Sequence, residues 1–224
     1  MAKQKKNANY VTEKTVAAAA KKQEEKAKKK RDKTIKIVAI SVGAFVAAIA
    51  LIVGILFALG AFDYVPEPTY HASIEIEGYG TLHVALYGND APETVEWFVD
   101  LAKSQYFVNK SFHTLADGLL YAGSTDADGG EKGIFGEFKN NGFNNKIKIK
   151  KGVLAMARGE GYDSAYGQFF IATKNASKLS DDYCAFGMVT NYEIIEQILK
   201  DCGGTITAEN APKITNITFH ESHD

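Results

Sequence analysis

Two residue types that could hold a peptide lie two positions apart near the middle of the chain. Gln168 and Phe170 belong to the run GQFFIAT, which follows the run GVLAMAR and a polar loop rich in Gly, Asp and Ser. Each run is short, apolar and bounded by glycine, which predicts two core strands with a loop at one rim. Residues two apart on a strand face the same side, so an amide lies beside an aromatic wall. This face could hold a peptide carbonyl next to a small apolar ring; alternatively, Phe169 and Phe170 are both core residues and Gln168 is an edge residue.

The residues N-terminal to these runs predict a hairpin and a helix. Residues 72–76 and 81–87 alternate apolar and polar side chains around the glycine-containing turn at 77–80, as hairpins do. Asp90 can then cap a helix that has Pro92 in its first turn. We expect Trp97 and the apolar stripe of this helix to lie in the core. The stripe consists of Val95, Phe98, Val99 and Ala102.

The C-terminal third continues this pattern. Strands are predicted at 183–189 and 214–219, with a helix at 192–200. Two helices among many short strands predict a mainly β fold, a closed antiparallel barrel capped by the two helices. The lysine-rich run at 146–151 predicts a solvated strand edge, because lysine at such an edge blocks unwanted pairing.

The first 62 residues differ from the rest in charge and hydropathy. Residues 1–36 carry 13 Lys/Arg and 4 Asp/Glu, whereas the remaining residues carry 13 and 23. Residues 37–62 carry no charge and are long enough to cross a hydrocarbon core of about 30 Å, which predicts a transmembrane helix. A cleaved signal peptide is the alternative, but its apolar region is usually only about 7–15 residues long. The basic flank could suggest nucleic acid, yet its position beside an apolar segment favours anionic lipid, so we expect no nucleic-acid partner.

These segments predict a four-part organisation with a defined topology. The parts are a basic cytoplasmic segment at 1–36, a membrane helix at 37–62, a stiff linker at 63–70 and a globular domain at 71–224. The positive-inside rule keeps the basic segment in the cytoplasm. We therefore expect a single-pass protein of the cell membrane whose C-terminal domain is extracytoplasmic.

The remaining reactive residue types predict neither a metal site nor a disulfide framework. Cys184 and Cys202 lie on different predicted elements, and two buried free thiols are favoured over a single bond. Asp126 and Asp128 superficially suggest a calcium loop, but Gly130 replaces the third ligand. We expect no metal and no cofactor.

The central stretch resembles a known family. MAR at 156–158, the loop containing Asp163-Ser164-Ala165 and the run GQFFI resemble the central motif of the cyclophilins, particularly bacterial members that read SMAR…DSAGSQFFI. The segment GEFKNNGFNN at 136–145 is similar to the GEF…NG segment of those members. The resemblance covers about residues 80–198. It implies a cyclophilin-like β-barrel that isomerises X-Pro peptide bonds, with an arginine in an FHR motif that donates to the prolyl nitrogen.

The resemblance also shows where this chain departs from the family. The FH pair is Phe112-His113, so Thr114 stands at the arginine position. Loss of one preorganised donor typically costs about 10²–10³ in rate, which predicts modest catalysis. Arg158 is the nearest candidate replacement; the alternative is a solvated rim arginine paired with Glu160.

Other positions keep the chemistry that the resemblance implies for a proline pocket. Gln168 and Phe170 match catalytic positions, whereas Lys178 stands where the family has a pocket tryptophan. The substrate-binding positions implied are His113, Leu119, Leu120, Ala157, Leu179 and Tyr183.

Two functions remain open on the sequence. The first is a membrane-tethered peptidyl-prolyl cis-trans isomerase that acts on proline-containing clients as they fold outside the cytoplasm, where proline isomerisation is slow. The second is a binding module, a catalytically weak or inactive cyclophilin-like domain that holds proline-containing segments as a chaperone or scaffold. The second function remains open because Thr114 stands at the arginine position of the family.

Overall fold

A computed structural model describes residues 2–58 and 64–221 of the protein. The chain divides into two compact units, residues 1–63 and residues 64–224. The first unit contains one long helix, α1 (Ala2–Ala58). Its stretch Lys21–Leu56 is long and apolar enough to cross a membrane by length and composition. The predicted membrane segment at 37–62 falls on this helix as far as residue 58, and its last four residues lie outside the described residues.

The second unit is built around one antiparallel sheet of eight strands that curls into a barrel. The strands are β1 (Tyr70–Ile76), β2 (Gly80–Leu86), β3 (Ser111–Ala116), β4 (Leu119–Gly123), β5 (Val153–Met156), β6 (Gln168–Ala172), β7 (Ala185–Val189) and β8 (Ile214–Glu221). Their order across the sheet is β3-β4-β6-β5-β7-β2-β1-β8. Backbone hydrogen bonds join the two edge strands: Phe112 N–H donates to the Pro212 carbonyl at 2.9 Å, and Ile214 N–H donates to the Lys110 carbonyl at 2.7 Å. These bonds join the two edges at one end of the curled sheet, and the predicted mainly β, antiparallel barrel-like fold is confirmed.

Two helices cover the barrel, α2 (Pro92–Lys103) and α3 (Glu193–Asp201). The predicted apolar stripe of α2 is buried, and Phe98 stands at the centre of the core. The Phe98 ring centroid lies 5.1 Å from that of Phe107, 5.5 Å from that of Phe169 and 5.2 Å from that of Phe186. Such aromatic pairs add to the free energy gained by burying their apolar area. Trp97, predicted to be core, is half-buried and packs against this core.

The side chain that caps the N-terminus of α2 belongs to Glu137, which is distant in the sequence and was not predicted to do so. The prediction that Asp90 caps this helix is wrong, because the N-cap residue is Ala91 and the Asp90 carboxylate accepts a hydrogen bond from Tyr64. The buried carboxylate of Glu137 accepts instead from the backbone N–H groups of Glu93 (3.0 Å) and Thr94 (2.8 Å). Free N–H groups of a helix's first turn attract negative charge, so Glu137 ties the GEF segment to α2.

A second apolar cluster lies on the outer face of the sheet, and we call it the outer cluster. Its buried members are Ala85, Tyr87, Leu119, Ile147, Ile149, Val153, Ala155, Ala157, Phe170, Ala172 and Ala185, with Tyr121, Leu179 and Tyr183 packed against them. The lysine-rich run covers one side of it, but the predicted strand edge there is wrong. Ile149 N–H donates to the Ser180 hydroxyl and Ile147 N–H to the Asn145 side chain, so this run is fixed by side chains rather than by a strand ladder.

The two cysteines are buried and unbonded, which confirms the predicted free thiols. Burial raises the pKa of the Cys184 thiol far above its usual range. The Cys184 sulfur lies 3.1 Å from the Thr94 hydroxyl, so it belongs to the packing beneath α2.

Candidate active site

One row of side chains crosses the outer face of the barrel from β3 to β5. The register pairs Thr114 with Tyr121, Tyr121 with Phe170 and Phe170 with Ala155. Directly paired residues of antiparallel strands share a face, so these four side chains lie side by side. Gln168 precedes Phe170 by two residues and therefore faces the same way. The structure thus brings the predicted residues Thr114, Gln168 and Phe170 to one surface.

The apolar part of this surface is built on Phe170, which is 0% exposed. The Phe170 ring centroid lies 5.6 Å from that of Tyr121 and 5.5 Å from that of Tyr183. Three other predicted wall residues belong to the same outer cluster, namely Leu119, Ala157 and Leu179. Phe170 is therefore enclosed within the outer cluster with the Tyr121 and Tyr183 rings against it, so a ligand ring can contact it only if a neighbouring side chain moves.

The structure corrects the expected position of Leu120. Leu120 is 0% exposed and lies in the interior core, on the opposite side of the sheet from Phe170. Leu119 and Leu120 are adjacent on β4, and adjacent strand residues face opposite sides. Tyr121 takes the outer position, and the alternation along the strand is the signal in the sequence that could have identified it.

A β-bulge places His113 between the two faces of β3. The register shifts between Phe112 and Thr114, so His113 is the extra residue of the strand. The hairpin from β3 to β4 turns at Asp117 and Gly118, whose φ angles are 53° and 79°. Positive φ at both central residues is typical of a tight type I′ turn. The turn fixes the β4 register, and the bulge lets Thr114 return to the outer face.

His113 and Gln168 both bind the backbone carbonyl of Ser124. The Gln168 Nε2 donates to this oxygen at 2.7 Å, and the His113 Nε2 lies 2.9 Å from it. A carbonyl oxygen only accepts, so the His113 Nε2 carries a hydrogen. The other ring nitrogen, Nδ1, lies 2.9 Å from the Thr114 hydroxyl oxygen. Burial lowers the pKa of His113 from its usual range, and the bond to Ser124 opposes this effect.

Arg158, the predicted replacement donor, is held beside Tyr183 rather than over Phe170. Its guanidinium lies 5.1 Å from the ring centroids of Tyr162 and Tyr183 and 5.2 Å from that of Phe138. Its Nε donates to the Asp182 carbonyl at 3.0 Å. Its Nη1 donates to the backbone carbonyls of Gly159 (3.0 Å) and Glu160 (3.3 Å). The alternative of an ion pair with Glu160 is thus replaced by a bond to that residue's backbone.

Asp126 and Asp128 are hydrogen-bonded within their own loop. Asp126 Oδ1 accepts from the Asp128 N–H, and Asp128 Oδ1 accepts from the Gly130 N–H. Among the described residues, no group of three or more His, Cys, Asp or Glu side chains is arranged to hold a metal ion. Lys178, at the family's tryptophan position, is exposed on a short 3-10 turn beside Leu179.

The arrangement suits a reaction that needs no nucleophile and no metal. It offers an apolar floor, an amide and an exposed hydroxyl on one surface. These groups could bind a cyclic side chain, hold the adjacent peptide and donate one hydrogen bond. Faster rotation about an X-Pro bond requires such groups, because the rotation barrier comes from conjugation of the nitrogen lone pair with the carbonyl.

Comparisons with known proteins match the part of the chain that forms the barrel. A family model described as cyclophilin type peptidyl-prolyl cis-trans isomerase/CLD matches residues 71–219. Peptidyl-prolyl cis-trans isomerase B of Escherichia coli is 28% identical over 139 residues, which cover 58% of this chain and 82% of that protein. Peptidyl-prolyl cis-trans isomerase CYP57 of Arabidopsis thaliana is 30% identical over 135 residues, which cover 58% of this chain. The chain spans only 27% of that Arabidopsis protein.

A solved structure shows the same fold. The crystal structure of a cyclophilin type peptidyl-prolyl cis-trans isomerase of Cryptosporidium parvum, determined in the presence of the dipeptide Ala-Pro, superposes with a TM-score of 0.57. The two sequences are 21% identical, and the match covers 68% of this chain and 99% of that one.

Proposed function

Because this chain belongs to the cyclophilin-type peptidyl-prolyl cis-trans isomerase family, we propose that its barrel domain catalyses cis-trans isomerisation of X-Pro bonds in polypeptides. The uncatalysed reaction takes tens to hundreds of seconds at 25 °C, which is slow enough to limit folding. Proline-containing segments are therefore the substrate class, and no cofactor is needed.

The row of residues from Thr114 to Phe170 carries this proposal. The prolyl ring binds on Phe170 once Tyr121 or Tyr183 moves aside, because that is the apolar floor of the outer face. Gln168 lies beside it with its Nε2 bound to Ser124, so its amide oxygen can accept an N–H group of the peptide. Thr114 is exposed next to Tyr121 and stands where a donor to the prolyl nitrogen is required.

The rate should be modest because a neutral hydroxyl replaces a cation. A hydrogen bond that polarises the prolyl nitrogen weakens its conjugation and lowers the rotation barrier. A charged donor makes a stronger hydrogen bond than a neutral one. We expect the full loss of such a donor to cost about 10²–10³ in rate.

Exchange NMR of an Ala-Pro peptide with the full chain in detergent micelles tests the activity. The expected result is measurable acceleration of cis-trans exchange by the wild type and acceleration raised about 100-fold or more by Thr114→Arg. The matched control is Thr218→Arg, which adds the same charge on β8, at an exposed residue paired with Ser73. Exchange at the uncatalysed rate for both wild type and Thr114→Arg would contradict the proposal.

We further propose that α1 anchors the domain on the outer face of the cell membrane, where it acts on exported proteins. The apolar stretch of α1 and the basic residues before it support this topology. Single cysteines at exposed Lys29 and Asn89 would test it, since both native cysteines are buried. An impermeant maleimide should label Asn89→Cys in intact cells and Lys29→Cys only after permeabilisation. The reverse pattern would overturn the topology.

A binding module is the second candidate, and a specific observation favours it. Phe170 is covered by two tyrosines, and the Thr114 hydroxyl already lies within hydrogen-bond distance of His113. Such a domain could hold a proline-containing segment without accelerating its exchange. In the same NMR experiment, shifted peptide resonances with no gain in exchange rate would identify this function.

A further inference from the structure

We propose that the Thr114 hydroxyl is the catalytic donor of this site, and that His113 is a positioning residue which frees this donor when it binds a second proton. The inference rests on the proposed isomerase function and goes beyond it, because it makes the reaction depend on pH. It follows from three distances. These join the His113 Nε2 to the Ser124 carbonyl, the Gln168 Nε2 to the same carbonyl, and the His113 Nδ1 to the Thr114 hydroxyl.

The Ser124 carbonyl fixes the tautomer of the neutral imidazole. At 2.9 Å it must accept from the His113 Nε2, so in the neutral ring the Nδ1 has no hydrogen and can only accept. The Thr114 oxygen lies 2.9 Å from Nδ1, and its hydroxyl hydrogen therefore points at His113. In this state Thr114 offers only lone pairs to a peptide. It cannot donate to a prolyl nitrogen.

Protonation reverses the direction of this hydrogen bond. The incoming proton binds Nδ1, which then donates to the Thr114 oxygen, while the hydroxyl keeps its own hydrogen and rotates it outward. No bond to carbon changes and no co-reactant is consumed; the proton comes from solvent. Since Thr114 is exposed, the freed O–H points to the surface where the peptide binds. The imidazolium also polarises this hydroxyl and strengthens it as a donor.

The framework around His113 is the same in both states. Nε2 donates to Ser124 whether the ring is neutral or charged, and Gln168 holds that carbonyl independently. The bulge at His113 keeps the ring adjacent to Thr114. Only two hydrogen positions differ, so the change needs no rearrangement of the barrel.

The surroundings of His113 keep it mostly neutral near pH 7. Burial is the larger influence on its pKa and lowers it, and the Ser124 bond is the smaller, opposing one. The titratable groups on the segments packed around His113 are Tyr106 and Lys110 before β3, Asp117 in the β3–β4 turn, Tyr121 on β4, Asp126 after β4, and Lys213, which bridges to Ser111. Near pH 7, therefore, the Thr114 oxygen can only accept a hydrogen bond from a peptide, and after acidification its hydroxyl can donate one.

The test is the pH dependence of kcat/KM for the Ala-Pro peptide, measured by exchange NMR with the full chain in detergent between pH 5 and 8.5. Above the His113 pKa we expect about a tenfold rise in kcat/KM for each unit that the pH falls, followed by a plateau. The ¹⁵N shifts of the His113 ring should titrate with the same midpoint. Thr114→Val should give a flat profile, Thr114→Ser should keep the rise, and Thr218→Val is the matched control on β8.

Two results would overturn the inference, and a third separates it from the parent proposal. A flat wild-type profile, or an equal rise in Thr114→Val, would show that the hydroxyl is not the donor. If wild type is flat but Thr114→Arg accelerates exchange at every pH, the isomerase proposal stands and this inference fails. If neither protein accelerates exchange at any pH, the isomerase proposal itself fails.

Discussion

Removal of the Glu137 carboxylate should destabilise the barrel domain by more than an ordinary surface substitution. The first turn of α2 has three N–H groups to satisfy, because Pro92 contributes none. Val95 N–H donates to the Ala91 carbonyl at 2.9 Å, and Glu137 accepts from the other two, at Glu93 and Thr94. Glu137 is 1% exposed, so water cannot readily replace it in Glu137→Ala.

The size of the effect follows from these two bonds. An unsatisfied buried donor costs about 1–3 kcal/mol, and hydrogen bonds to charged acceptors lie at the upper end of net values. Glu137→Ala leaves two donors without an acceptor, so we expect a loss of about 3 kcal/mol in the free energy of unfolding. For a domain of this size, that corresponds to a fall in Tm of roughly 6–12 °C. Glu137→Gln keeps one acceptor oxygen, so it should lose about half as much.

Trp97 provides the assay because it is the only tryptophan of the chain and lies on α2 itself. Its Nε1 donates to the Tyr166 carbonyl at 2.9 Å, so its fluorescence reports the packing of α2 on the barrel even in the full chain. Urea unfolding should show a lower midpoint with an unchanged slope. Glu96→Ala, an exposed acidic residue on the same helix, is the matched control and should stay within about 0.5 kcal/mol of wild type. A loss below about 0.5 kcal/mol for Glu137→Ala would refute the capping role.

Three further predictions concern the site and the core. Tyr183→Ala should uncover Phe170 and tighten binding of an Ala-Pro peptide several-fold, since the binding-competent state becomes more populated; an NMR titration that gives unchanged affinity would count against the covering role. Because burial raises the pKa of its thiol, Cys184 should react with Ellman's reagent at pH 8 at least about 100-fold more slowly in the folded domain than in urea, and fast reaction in the native state would contradict its burial. Burial lowers the pKa of His113, so the unfolded chain binds more protons in acid and the domain should lose stability as the pH falls from about 6.5 through that lowered pKa. Urea unfolding at pH 7.5 and 5 should show this loss in wild type and a smaller one in His113→Gln; equal losses would assign it to other groups.

Local patterns in the sequence are sufficient to predict most of the elements of the barrel. The apolar stripe through Phe98 has helical spacing, and the helix buries it as expected. Strand alternation predicts the hairpin from β1 to β2, whose observed register runs from Tyr70 opposite Leu86 to Ile76 opposite Gly80. These features depend on neighbours a few residues apart, which is the range that side-chain periodicity reports.

Features that depend on distant residues could not be predicted from such patterns. Glu137 caps a helix more than 40 residues before it in the chain, and Arg158 binds the carbonyl of Asp182 on a different loop. The error at Leu120 has a different cause. Family positions place both Leu119 and Leu120 in the pocket wall, but the strand can turn only one of them outward. The β-bulge at His113, which no local pattern signals, then decides that Thr114 and Tyr121 share that outer face.

The hydrogen bonds of the rim are consistent with the proposal that the Thr114 hydroxyl is the donor of the site. Gln168 and Arg158 are the polar residues that resemble a substrate clamp. The Gln168 Nε2 donates to the Ser124 carbonyl, and the Arg158 Nε donates to the Asp182 carbonyl. These bonds order the loops around the outer cluster, so the rim is preorganised before a peptide binds. Preorganisation of this kind lets a weak donor act without first reorganising its surroundings. Thr114 is exposed on the bulged strand, and its hydroxyl hydrogen is held by His113 only while the His113 Nδ1 is unprotonated, so it is the polar group of the row best placed to meet a prolyl nitrogen.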